Sequence, residues 1–153
     1  MISINDNIHC RLLSISDAEE LYDIVNFSRN YLTNLVWVNS ATLESTEQFL
    51  KIKSDTLSGD TLYGIYVDHI LVGTIEFRYT DDIGYWLRHD YRNKGIMTSV
   101  VNVMTKIKGA NKELLAKVQY SNEVSKKILA NAGFKCIRTD EEFLYLKRAS
   151  VKN

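Results

Sequence analysis

The sequence predicts an α/β domain, a mixed and mostly antiparallel central sheet with helices on both faces. Three observations carry that expectation. Strand-like and helix-like apolar patterns follow one another in the order β-α-α-β-β-β-α-β-α-β-β, which suits a sheet covered by helices. The chain has 153 residues, 45% of them hydrophobic and 25% charged, so one domain over residues 1–153 is the default, and folding buries about two-thirds of the unfolded surface. No repeat, low-complexity tract or linker interrupts it.

Ile8 to Leu13 reads as the first strand. Ser16-Asp17-Ala18-Glu19 has the spacing of a capping box, and the helix it starts is apolar at Ala18, Leu21, Tyr22, Ile24 and Val25. Asn26 to Ser40 is less regular. Thr42 suits the cap of a second helix with Leu43, Leu50 and Leu57 on one face and Phe49 beside it, stopped by Ser58-Gly59-Asp60. Leu62–Val67 and Ile70–Tyr79 read as a hairpin through Asp68-His69, and Ile83–Leu87 follows as a third strand after Thr80-Asp81-Asp82. Helical spacing returns at Ile96, Val100, Val103, Met104 and Ile107 and ends near Lys108. Leu114–Tyr120 reads as a strand and Asn122–Ala132 as a helix with Gly133 as its left-handed C-terminal residue. Phe134–Arg138 and Phe143–Lys147 close the chain as a hairpin around Thr139-Asp140-Glu141. With no proline in the chain, the turns rest on Gly, Asn, Asp and Ser.

Bulk properties exclude several function classes. Nineteen basic residues balance nineteen acidic ones, so no whole-molecule field draws nucleic acid or an anionic membrane, and basic patches are short. Cys10 and Cys136, far apart, suggest neither a disulfide framework nor a zinc site, and a reducing cytoplasm is the compartment to expect. The residues from Met1 to Asp6 lack the pattern of a signal peptide, and no apolar run approaches the ~20 residues of a membrane span.

The segment from Ile83 to Thr98 is the most informative. An apolar strand runs into a polar turn with one glycine and then into a helix start, which aims backbone N–H groups and the positive end of a helix at one point. Gly95 permits close approach of a phosphate, Ile96, Met97 and Thr98 supply first-turn amides, and Arg92, Asn93 and Lys94 precede them with two positive charges. The turn alone suits a bound phosphate and a plain helix start equally. It is neither a Walker loop nor a dinucleotide fingerprint. A second strand-to-helix junction follows at Asn122-Glu123-Val124-Ser125, where Asn122 reads as an N-cap and Ser125 as a first-turn residue on the same side.

Together the two segments resemble the GNAT superfamily of acetyl-CoA-dependent N-acetyltransferases. Arg92-Asn93-Lys94-Gly95-Ile96-Met97 fits the family's Arg/Gln-x-x-Gly-x-Gly/Ala loop except at Met97. Ile83 to Leu87, Gly95 to Thr98, Asn122 with Ser125, and Ala132-Gly133-Phe134 are similar to its RimJ/RimL-type branch of ribosomal-protein N-acetyltransferases. Arg11-Leu12-Leu13, Leu71 to Ile75 and Trp37 fit the same pattern, so the resemblance covers about residues 8–147. The segment from Gly95 to Asn122 is about one helical turn shorter than in that branch.

The resemblance implies a GNAT fold splayed between the Ile83–Leu87 and Leu114–Tyr120 strands, with acetyl-CoA as cosubstrate and no metal. It implies that Arg92 to Thr98 and Asn122 hold the cofactor, that Trp86 and Leu87 line the pantetheine channel, and that the Leu87 N–H polarises the thioester carbonyl. Many family members place a tyrosine acid where Leu129 stands, so the acid implied here is Ser125, with helix capping as its alternative role. Glu76, Asp82 and Glu142 are the carboxylates able to accept a proton from the amine, Glu76 and Asp82 ahead of Glu142, although each reads first as a solvated surface acid. Tyr31, Leu35, Trp37 and Val38 form an acceptor wall or pack between the first two helices, Tyr31 and Trp37 being the substrate-binding residues on the first reading. Cys136 reads as a small core residue, His69 as a turn residue, and His89 as a loop residue near the cofactor.

The activity to expect is transfer of acetyl to a primary amine, with a protein or peptide N-terminus as the first choice. The alternatives are a small amine such as an antibiotic or a polyamine, which Asp81, Asp82, Glu141 and Glu142 keep open, and a non-catalytic acyl-CoA-binding module. The partners to expect are acetyl-CoA and the amine acceptor, with no nucleic acid and no membrane, and family analogy leans towards a homodimer.

Overall fold

The structure is a computed structural model that describes residues 1–31 and 40–150. The chain divides into two compact units, Met1–Glu76 with Tyr85–Lys94, and Phe77–Gly84 with Gly95–Asn153. Described elements are β1 (Ile2–Ser3), β2 (Ile8–Leu12), α1 (Ala18–Phe27), α2 (Leu43–Ser54), β3 (Thr61–Val67), β4 (Ile70–Phe77), β5 (Ile83–Leu87), α3 (Ile96–Lys108), β6 (Leu114–Gln119), α4 (Glu123–Asn131), β7 (Lys135–Thr139) and β8 (Phe143–Arg148). Five strands form one sheet in the order β1-β2-β3-β4-β5, and three form another in the order β6-β8-β7. The mixed, mostly antiparallel sheet expected from the sequence takes the form of these two sets of strands. Their paired strands run antiparallel, and the parallel component is one isolated bridge between Asp82 and Leu115.

In the first unit, the apolar stripe of α1 (Ala18, Leu21, Ile24, Val25) joins Leu50 of α2, Leu62 and Tyr66 of β3, Leu71 of β4 and Trp86 of β5 in one core. Arg11 fastens the entry to α1, making a two-point ion pair with the buried carboxylate of Asp17, which also accepts from the Ser14 N–H at 2.8 Å. The helix start thus rests on Ser14 and Asp17, two residues before the box read from Ser16 and Glu19, because Asp17 can serve the backbone and Arg11 together. Thr42 caps α2 as expected, its hydroxyl accepting from the Ser45 N–H at 3.0 Å.

That helix ends at Ser54, earlier than its apolar spacing implied. Asp55 leaves helical geometry and its carboxylate accepts from the Leu57 N–H, starting a separate 3-10 turn at Thr56–Ser58. Leu57 consequently stands 92% exposed and belongs to no buried face. The β3–β4 turn uses Asp68 and His69 at φ 49° and 68°, the left-handed pair that matches the twist of a two-residue hairpin.

In the second unit, α3 buries Ile96, Met97, Val100, Val101, Met104 and Thr105. It packs on α4, and α4 packs on β6. Strand β6 alternates, with Leu114, Ala116 and Val118 buried and Leu115 and Lys117 exposed. Gly133 takes φ 94° after α4, the left-handed position expected of it. Cys136 corrects the sequence reading: it lies exposed on β7, beside a bulge between Cys136 and Arg138, whereas Cys10 is the buried thiol. Burial pushes the Cys10 thiol up to about 12, keeping it protonated and inert. No helix among the described residues is long and apolar enough to cross a membrane.

Candidate active site

At the head of α3 the backbone turns through two left-handed residues, Asn93 at φ 63° and Gly95 at φ 77°. Gly95 is the N-cap, and it brings no side chain to satisfy the first-turn amides of Ile96, Met97 and Thr98. The caps of α2 and α4 differ: Thr42 and Asn122 each occupy an amide of their own helix. A Cβ placed on Gly95 would meet nothing within 4 Å, so the cap itself faces open space. Arg92, Asn93, Lys94 and Gly95 are exposed, and among the described residues no carboxylate pairs with Arg92 or Lys94. Open N–H donors, a helix's positive end and two cations fit a pyrophosphate. Met97, where the wider family keeps a small residue, is buried within α3's apolar face.

Trp86 and Leu87 sit on β5, the last strand of the five-stranded sheet, and both are buried. The Arg88 N–H donates to Val72 O of β4 at 2.7 Å. Ladder alternation therefore turns the Leu87 N–H away from β4, towards the outer edge of that sheet. The approach of β4 to β5 depends on Gly73, where a Cβ would lie 2.2 Å from Trp86 O and 3.0 Å from Leu87 Cα.

The junction before α4 brings Asn122 and Ser125 together. The Ser125 N–H donates to Asn122 Oδ1 at 3.1 Å, so Asn122 is the N-cap, and the bond engages the backbone of Ser125, with its half-buried side chain on the first turn. Leu129, where many family members carry a tyrosine, is buried.

Of the carboxylates read as surface acids, Glu142 is one, whereas Glu76 and Asp82 differ from that expectation. Glu76 is buried at 7% exposure and ion-paired with Lys53 at 3.0 Å; the same ammonium also binds Asp60 at 2.9 Å. Two acids around one partly desolvated lysine outweigh the burial that opposes its charge and hold its pKa above the ordinary lysine value. Asp82 is half-buried against Arg78 and Thr80. Burial raises its carboxyl pKa, but bonds from the Thr80 hydroxyl and the Arg78 guanidinium outweigh that and hold it below the usual range. Glu142 is exposed and accepts from Gln119 Nε2 at 3.2 Å.

Tyr31 does not pack between the helices. It is 55% exposed and stacks on His89, with ring centroids 3.7 Å apart, while Phe27 stacks on the same imidazole at 5.2 Å. Trp37, Leu35 and Val38 lie outside the described residues. Sequence reasoning missed the supports: Lys53 beneath Glu76, and Arg88, which makes a two-point pair with Asp90 while its guanidinium lies over Phe27 and Tyr91. Aromatic residues at Phe27, Tyr31 and Tyr91 were the available signal for the second. Nothing in the spacing announced the first. Among the described residues no group of three or more His, Cys, Asp or Glu could hold a metal ion.

No curated protein matches the chain in sequence. Among solved structures it is similar to RimL, the ribosomal L7/L12 alpha-N-protein acetyltransferase in complex with coenzyme A, at 18% identity and TM-score 0.82 over 97% of both chains. It is also similar to the microcin C7 self-immunity acetyltransferase MccE in complex with acetyl-CoA and AMP, at 19% identity and TM-score 0.82 over 95% of this chain and 94% of that one. A third likeness is the ribosomal-protein-S5-alanine acetyltransferase of Vibrio fischeri, at 21% identity and TM-score 0.77 over 96% and 95%. These likenesses establish the fold. The model of the acetyltransferase (GNAT) domain matches residues 8–135, most of the chain, and the protein thus belongs to the GNAT acetyltransferase family.

Proposed function

We propose that the chain works as one N-acetyltransferase domain that takes acetyl from acetyl-CoA and delivers it to the α-amine of a protein or peptide N-terminus. The observation that carries the donor half is the head of α3, where open amides meet two cations at a glycine cap. Acetyl-CoA supplies the thioester whose carbonyl carbon the amine attacks. On this reading the amides of Ile96 to Thr98 bind the pyrophosphate, with Arg92, Asn93, Lys94 and Asn122 around it, and Trp86 lines the pantetheine channel. The Leu87 N–H donates to the carbonyl oxygen as negative charge grows there, a contribution on the order of 3 kcal/mol when preorganised. Ser125 relays a proton to the departing sulfur, giving up its own and taking one back from water.

Chemistry supports an N-terminal acceptor. The amine must be neutral to attack. At pH 7.4 about a quarter of an α-amine is neutral, against about one lysine amine in a thousand. The nearby carboxylates are poor candidates for stripping a lysine: Glu76 is engaged by Lys53, and Arg78 with Thr80 lowers the proton affinity of Asp82. Glu76 and Asp82 therefore serve to orient the amine through water, and the proton the amine releases passes to solvent. Tyr31 lines the acceptor side of the site on this reading. Two of the similar structures are named as acetyltransferases of ribosomal proteins, which supports the same choice.

The test is an acetylation screen with thiol release as readout, comparing peptide N-termini, polyamines and aminoglycosides. Turnover with peptide N-termini is expected; turnover with small amines alone overturns the acceptor. In parallel, acetyl-CoA at ~100 times its dissociation constant stabilises a binding fold by ~2.7 kcal/mol. Absence of any melting shift refutes the donor, and a shift without turnover on any amine marks a non-catalytic acyl-CoA-binding module.

A further inference from the structure

Arg148, the last residue of β8, is 7% exposed and has no acidic partner among the described residues. A buried guanidinium without a carboxylate is costly, and burial pushes its pKa down from the ordinary arginine value. Its surroundings explain why it is kept. Nε donates to the carbonyl of Ala132, the C-cap of α4, at 3.0 Å. Nη1 lies against Gly109, the C-cap of α3: a Cβ on Gly109 would sit 2.6 Å from Nη1 and 2.7 Å from the last-turn carbonyl of Thr105. Nη1 itself makes no hydrogen bond. One cation thus faces the negative ends of two helices, where a positive charge is favourable, and low-dielectric surroundings strengthen the attraction.

Both helices carry proposed chemistry at their other ends, Gly95 to Thr98 on α3 and Asn122 with Ser125 on α4. Thirteen residues of α3 make a lever of about 20 Å and nine residues of α4 one of about 14 Å. We propose that Arg148 is a positioning residue for acetyl transfer, clamping the C-termini of α3 and α4 so that their N-termini hold the cofactor amides and the Ser125 hydroxyl in working register. Gly109 is part of the same device, since any side chain there displaces the guanidinium. This rests on the functional reading above.

The test compares Arg148→Met, Arg148→Lys and Gly109→Ala in the full chain, each assayed well below its own melting temperature. Arg148→Met removes the charge at similar volume; Gly109→Ala keeps the arginine but pushes its guanidinium from its seat. For both, KM for acetyl-CoA is expected to rise on the order of tenfold and kcat to fall, since small misplacements of catalytic groups have large kinetic costs. Arg148→Lys, which can still reach the Ala132 carbonyl, is expected to recover part of each. A merely structural arginine predicts lower melting temperatures with wild-type KM and kcat, and that result overturns the proposal. Should Arg148→Met fail to fold, the other two variants decide by the same criterion. A wild-type protein that neither binds nor turns over acetyl-CoA overturns the functional reading itself, an outcome distinct from unaltered variants of an active enzyme.

Discussion

Two neighbouring residues, Asn122 and Ser125, share one hydrogen bond and have separable duties. The bond is made by the Ser125 backbone, so Ser125→Ala leaves the cap intact while deleting the hydroxyl. The expected outcome is turnover slowed by roughly a hundredfold, in the range of a lost general acid, with KM for acetyl-CoA nearly unchanged. Asn122→Ala removes the cap and is expected to cost about 1 kcal/mol of stability, read from urea unfolding. If Ser125→Ala keeps the wild-type turnover rate, the serine only shapes the helix start. Asp82 makes the complementary case: a carboxylate can stand where a base is wanted and still be tuned away from that task by Arg78 and Thr80. Sequence can supply the carboxylate, whereas its proton affinity belongs to its neighbours.

The contact of β4 with β5 is governed by Gly73. Gly73→Ala forces a methyl against the backbone of Trp86 and Leu87, which cannot swing aside as the end of a flexible side chain would. We expect a loss of about 2 kcal/mol in stability, in the range of overpacked cores. A drop in kcat larger than the drop in folded fraction should accompany it, because the proposed thioester donor lies on the displaced strand. Wild-type kcat per folded molecule would remove Leu87 from the mechanism. Most of these elements were legible beforehand. The strand Ile83–Leu87 and the helix Ile96–Lys108 lie where the apolar pattern put them, the helix because it buries one unbroken face. The end of α2 was not legible, because Leu57 continues the period while Asp55 locally competes for the backbone. β1, two residues long, carries no period at all. The left-handed glycine cap before α3 was readable from Gly95 at the helix start. Arg148 and Lys53 were not, since their partners come from elements distant in sequence.

Across the whole molecule, the shifted groups define a pH window. His9, stacked on Tyr66, has its pKa lowered by burial and by the charges of His69 and Arg11. The unfolded chain then takes up a proton near pH 6.5 more readily than the folded one, so the stability His9 contributes is present above that pH and declines below it. Asp17 is held low despite burial, by Arg11 and the Ser14 N–H, and Asp140 sits at about 2 through Tyr145 and two backbone amides. Their contribution is present above about pH 4 and is lost as pH falls further. Burial raises Cys10 and Tyr66 to about 12, so stability also erodes as pH climbs past the unfolded values near 9 and 10. Urea midpoints should form a plateau from about pH 7 to 9, with His9→Gln flattening the fall between about 7 and 5.5. A midpoint that rises on acidification through that interval would contradict the assignment.

The proline-free turns have a consequence for engineering. Asp68, His69, Asp81 and Asn93 all hold left-handed backbone angles that suit glycine better. Each such L-residue costs roughly 1 kcal/mol, and three of the four lie outside the segment proposed to touch acetyl-CoA. The protein therefore carries an unused reserve of thermal tolerance in its surface turns. His69→Gly, at an exposed hairpin tip, should raise the melting temperature by a few degrees and leave KM for acetyl-CoA unchanged. A lowered melting temperature would mean that His69 contributes more through its contact with His9 than its backbone angle takes away.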